Sequence, residues 1–215
     1  MLDETVIRRF NLILTEKIQK DNFNLDMIWI NEFSKELLKI TLGENYEFPI
    51  NIVKVAEELN LDIIEISFFE DSRFKNDIAN ISISNETYIG FFSKIKQIRL
   101  NINSYATQLL QRVAIAYLLL KYLIHYRDRR FACRYTEYHL FETYKEMENL
   151  WIEKISHLLL MPIDLTSKEI TNFIKNSDAI QNFNLISYVA NEALIPVEIA
   201  SIILNESKIF DLHIN

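Results

Sequence analysis

The sequence predicts an α+β fold, with helices before and after a small, mostly antiparallel sheet and one helix buried on nearly all sides. Three observations predict it. The longest apolar run, Gln111 to His125 (QRVAIAYLLLKYLIH), is broken between Val113 and Ile124 only by Lys121. It is too short for a membrane span, which needs roughly 20 apolar residues, but has the size of a core helix. Second, Leu61 to Asn101 holds several alternating stretches rich in β-branched residues, the mark of short strands. Third, the flanking segments repeat apolar residues every three to four positions, the mark of amphipathic helices.

Taken in order, residues 4 to 42 contain Val6, Ile7, Phe10, Leu14 and Ile18, then Met27, Ile28, Ile30, Phe33, Leu37, Leu38 and Leu42. This spacing predicts two helices split near Asp21 to Asn24, with Gly43 capping the second. The linker GENYEFP follows and suggests a boundary near Tyr46: a helical N-terminal extension, 1 to 46, and a domain, 47 to 215. Pro49 is expected in the first turn of a helix reaching about Leu59, with Ile52, Val53, Val55, Ala56 and Leu59 inward. Strands are expected at Leu61 to Phe68, Ile78 to Ser84, Glu86 to Phe92 and Ile95 to Asn101, and the central helix at Tyr105 to His125. The polar, basic and aromatic stretch YRDRRFACRYTEYH reads as a connection. A helix is then expected through Phe141 to about Leu160, stopped by Pro162. Residues 166 to 176 and 185 to 209 supply the last helices, with Pro196 interrupting the final pair.

Composition excludes several classes. An apolar share of 49% in 215 residues is enough to bury a real core. Only 2 Gly and 3 Pro are present, and neither Gly43 nor Gly90 sits in a glycine-rich motif, which argues against a phosphate-binding loop or a dinucleotide fold. The single cysteine, Cys133, excludes an internal disulfide framework and a cysteine-based zinc cluster. A reducing cytoplasm is the expected setting. MLDETVIRRFNLILTEK does not read as a signal peptide, and no membrane association is expected. A net charge of -7 disfavours nucleic acid as the partner.

The pieces PINIVKVAEELNLDIIEI (49 to 66), IGFF (89 to 92), IRLN (98 to 101), QRVAIAYLLLKYLIH (111 to 125), WIEKISHLLLMP (151 to 162) and ISYVANEALIPVEIASIIL (186 to 204) follow one another in a telling order. In that order and spacing, residues 49 to about 205 resemble the ImmA/IrrE family of metallopeptidases. The resemblance implies a minimal zincin-like core and a setting beside phage or mobile-element repressors. It also implies H-E-x-x-H on the buried helix, with two histidines on zinc and a glutamate as general base. Here those positions are Tyr117, Leu118, Leu119, Leu120 and Lys121. The family's third ligand falls near Asn149, with Glu148 beside it. Three protein ligands and an open position are what a catalytic zinc needs, and this chain does not supply them, so no metal and no cofactor are expected.

Lys121 in a buried helix has two readings: an ion pair with Glu146, Glu148 or Glu153 in place of the metal, or an ammonium reaching water along its own stem. Arg127, Arg129, Arg130 and Arg134, interleaved with Tyr126, Phe131, Tyr135 and Tyr138, form the densest basic and aromatic cluster. It reads as a protein contact or an internal ion-pair network, or as a solvated loop whose aromatics tuck back onto the core. His125 is expected to end the central helix, where a cation favours the dipole's negative end. A relocated metal site from His125, His139 and Glu142 is the alternative. Cys133 among arginines would favour its thiolate.

The leading functional expectation is a non-catalytic, peptidase-like regulatory module. It binds a repressor, a toxin or an extended peptide in the former substrate cleft, beside Tyr117 and the outer strand. The alternatives are a divergent zinc endopeptidase using Tyr117, Glu148 and a histidine, and self-association as a homodimer through an apolar face of the N-terminal helices.

Overall fold

The structure is a computed structural model that describes residues 2–20, 25–66, 77–83, 87–89, 93–95, 98–125, 131–134, 146–176 and 182–207. The chain opens with helices α1 (Glu4–Lys20), α2 (Met27–Leu42) and α3 (Ile52–Glu58), followed by strand β1 (Leu61–Ile66). Strands β2 (Asp77–Ile83), β3 (Thr87–Ile89), β4 (Ser93–Ile95) and β5 (Ile98–Asn103) lead to helix α4 (Gln108–Ile124). After β6 (Phe131–Arg134) come α5 (Glu146–Leu160), α6 (Ile163–Asn176), α7 (Asn182–Ala193) and α8 (Val197–Glu206). The fold is α+β.

Local chemistry explains the helix boundaries. The Asp26 carboxylate accepts from the Trp29 amide and starts α2, and Gly43, at φ 92°, closes it. Asn51 caps α3 by accepting from the Lys54 amide. Pro49 therefore lies ahead of that helix and not in its first turn, a correction that an asparagine two residues on made possible. Val53 is exposed rather than inward, while Ile52, Val55, Ala56 and Leu59 are fully buried. The central helix begins at Gln108 rather than Tyr105, because Asn103 holds the preceding turn. Its side chain accepts from the Tyr105 amide and its carbonyl accepts from the Gln111 side chain. Thr107 then accepts from the Leu110 amide as the cap.

The main sheet has the order β1-β5-β2-β6. Leu61 pairs with Ile98 and Ile66 with Asn103, so β1 runs parallel to β5. This corrects the antiparallel expectation at that edge. The alternation that marks a strand carries no information about its direction or its neighbour. The other two pairings, β2 with β5 and β2 with β6, are antiparallel. β3 and β4 form a separate antiparallel pair, with Thr87 opposite Ile95, so the strand expected at Ile95 to Asn101 gives way to β4, ending at Ile95, and β5, beginning at Ile98. The stretch read as a connection contains β6, whose four residues alternate too briefly to stand out.

Helix α4 sits at the centre, against β2, β5 and β6 on one side and α1, α3 and α5 on others. Every residue from Val113 to Leu120 is buried, as expected of the longest apolar run. Its C-terminal carbonyls, which a helix leaves unpaired, accept from the Asn11 side chain of α1 at 2.7 and 2.8 Å. Arg112, near its start, donates to the carbonyls of Ile50, Ala193 and Leu194 and ties α3's entry to α7's exit. Ile7, Phe10 and Leu14 of α1, and Ile30, Phe33, Leu37 and Leu38 of α2, belong to the same hydrophobic core as α4 and α5. These faces of α1 and α2 pack on the chain's own helices, while Leu12, Ile28 and Ile40 of the same two helices are exposed. Among the described residues no helix is long and apolar enough to cross a membrane.

Candidate functional site

Helical geometry puts residues four apart on one face, so Tyr117 and Lys121 stack along α4. The buried Tyr117 hydroxyl donates to Asn149 Oδ1 of α5 at 3.2 Å. The Lys121 ammonium lies 5.9 Å from the centre of the Tyr117 ring, within reach of a cation–π attraction. Three positions chosen from a sequence resemblance, separated by up to 32 residues in the chain, therefore form one cluster. Leu118, where the resemblance would put a general base, is fully buried and offers only hydrocarbon.

Among the described residues this arrangement joins a phenol, a carboxamide and an ammonium. A phenol donating to a carboxamide is a neutral pair whose polar atoms satisfy one another. An ammonium beside it repels a divalent cation. Among the described residues no group of three His, Cys, Asp or Glu side chains is placed to hold a metal ion. Lys121 is half-buried, whereas its helix neighbours Leu120 and Tyr122 are buried. Glu153, one of the carboxylates considered for Lys121, lies 3.9 Å from the Lys154 ammonium. The side chains of Glu146 and Glu148 lie outside the described residues, although both belong to α5.

The basic and aromatic cluster is only partly described. Phe131 and Arg134 begin and end β6, at one edge of the main sheet, and Cys133 lies between them. Asp77 is paired with Arg134 across the ladder. Arg127, Arg129, Arg130 and Tyr135 lie outside the described residues, as do His139 and Glu142 of the alternative metal set. His125 ends α4 as expected, its amide donating to the Lys121 carbonyl.

One group of polar residues was missed. Lys154, His157 and Glu206 meet between α5 and α8, and His157, read as ordinary, is almost fully buried. The available signal was a lysine and a histidine three residues apart, one helical turn, in the apolar second half of α5.

The chain matches no protein-family model and no curated protein.

Proposed function

We propose that the protein is a peptidase-like module that has lost its zinc chemistry and works by binding a protein or an extended peptide. What carries the reading is the hydrogen bond between Tyr117 and Asn149. The resemblance to ImmA/IrrE peptidases assigns these two positions to metal ligands. Here they are close enough to share a ligand and instead bond to each other. The zincin-like core, the setting beside a mobile-element repressor and the retired active site are one proposal and stand together. The order of a leading helix, a strand, a small sheet, a buried helix and a helix ending in LLMP supports it.

In this reading α4 keeps its place under the sheet, and the cleft beside Tyr117 takes a partner in extended conformation. Backbone hydrogen bonding to an outer strand supplies affinity and side-chain pockets supply selectivity. Repressors and toxins of mobile elements are the expected partners, and cytoplasmic residence follows from that setting.

Metal content of protein purified without chelators tests the catalytic half. Less than about a tenth of an equivalent of zinc, with no peptide hydrolysis, is expected. Stoichiometric zinc would restore the peptidase reading. For the binding half, a display library of extended peptides is screened against the wild type. An enriched motif that the Tyr117→Ala/Asn149→Ala variant no longer binds supports the proposal; a folded wild type that enriches nothing contradicts it.

A further inference from the structure

A second polar cluster lies where α5 meets α2 and α8, apart from Tyr117 and Asn149. Met27, Lys154, His157, Leu158, Ile203 and Glu206 line a small pocket there. His157 is 3% exposed, and its Nδ1 has no protein hydrogen-bond partner. Lys154, 8% exposed, donates to Glu206 Oε1 of α8 at 2.5 Å. Its ammonium also has Glu153 Oε1 at 3.9 Å. At this pocket, among the described residues, the charged groups are Lys154 from α5 and Glu206 from α8, while α2 contributes the uncharged Met27.

The imidazole is held neutral by this setting. Burial, and then the positive charge of Lys154, push its pKa down to about 3. A group that is nearly enclosed and lacks a partner has no local reward for taking up a proton. Moving the last turn of α8 would remove Ile203 and Glu206 from the pocket and return His157 to water, where its ordinary value is about 6.5.

We propose that the cluster is an acid-sensitive latch: the Glu206–Lys154 pair holds α8 over a neutral His157, and acid favours local release of α8. The open form binds a proton that the closed form refuses, so its population rises as pH falls through the range of a free imidazole. Between pH 7.0 and 5.5 the opening constant grows about eightfold for a group with an ordinary value near 6.5. Local release is feasible because α8 is a single helix of 10 residues, and short peripheral elements open more readily than a core. Released, α8 uncovers the apolar surface against which Ile199, Ala200, Ile203 and Leu204 are buried.

Native-state hydrogen exchange on the full chain at pH 7.0 and 5.5, read at amides of α8 and α4 and corrected for intrinsic rates, is the test. The latch requires α8 to be less protected than α4 at both values and its opening constant to rise about eightfold. In His157→Gln the rise should shrink to less than about twofold. An α8 opening constant that ignores pH, or one equal to that of α4, would overturn the proposal. If His157→Gln does not fold, an NMR titration of the wild-type imidazole decides. Protonation that appears only together with faster α8 exchange supports the latch, and a midpoint near 6.5 while α8 stays protected rules it out.

Discussion

Helix α5 carries two buried polar clusters, and they are built on opposite principles. At its start, Asn149 meets Tyr117 of α4, and a neutral donor and acceptor satisfy each other. Further along, Lys154 meets Glu206 of α8, and His157 is left with an orphaned Nδ1. The first cluster occupies the position where the resemblance expects the zinc ligands, yet its hydrogen bond joins two neutral side chains. The second has no place in that resemblance, yet it holds an ion pair and the strongly shifted imidazole. A neutral pair contributes a modest amount that is independent of pH, whereas buried ions and orphaned atoms make stability depend on pH and on each partner's presence. The comparison teaches that a strongly shifted titration need not lie where a resemblance places an active site.

The largest expected difference is in acid. His157 has its pKa lowered to about 3 in the folded state, against about 6.5 unfolded. The unfolded chain therefore binds the extra proton between these values. The stabilising contribution is fully present above pH 6.5 and is lost by up to about 1.4 kcal/mol per pH unit as pH falls toward 3. Urea unfolding of wild type and His157→Gln across pH 7.5 to 4 measures it as a difference, which cancels the carboxylates common to both. Parallel curves would remove His157 from the account.

Removing one ion comes next. Glu206→Ala leaves the Lys154 ammonium buried without its closest anion. The cost is about 2 kcal/mol, below the ~3–5 kcal/mol of a fully buried pair because Glu206 is 40% exposed. By contrast, Lys154→Met/Glu206→Gln removes both charges and is expected within about 1 kcal/mol of wild type, or above it. A large loss in that double variant would mean that the pair contributes strong net stabilisation.

The smallest effect belongs to the first cluster. Tyr117→Phe should cost about 1 kcal/mol, the worth of one neutral hydrogen bond. A double-mutant cycle with Asn149→Ala should return a coupling of about the same size. A coupling near zero would mean that the 3.2 Å contact contributes nothing in solution.

Much of the fold was legible in the sequence because its signals are local. The run from Val113 to Ile124 announced α4, Pro162 ended α5, Gly43 ended α2, and Pro196 separated α7 from α8. Pairing partners were not legible. Nothing in LDIIEI tells that β1 runs parallel to β5, and FACR is too short to stand out as β6. The candidate site divides in the same way. Tyr117, Lys121 and Asn149 could be picked out and do cluster, since two share a helix face and the third has a position fixed by distance from LLMP. The pocket around His157 depends on α8 crossing α5, a tertiary fact with no local signature.

The claim that a zinc centre has been retired is tested most directly by putting its ligands back. Tyr117→His, Lys121→His and Asn149→Glu together supply two imidazoles one helical turn apart and a carboxylate facing them, the three-ligand set of a catalytic zinc. Native mass spectrometry of this variant beside the wild type is the measurement. The account predicts one equivalent of zinc in the variant and none in the wild type. A variant that keeps the wild-type circular dichroism spectrum and still binds no zinc would contradict it.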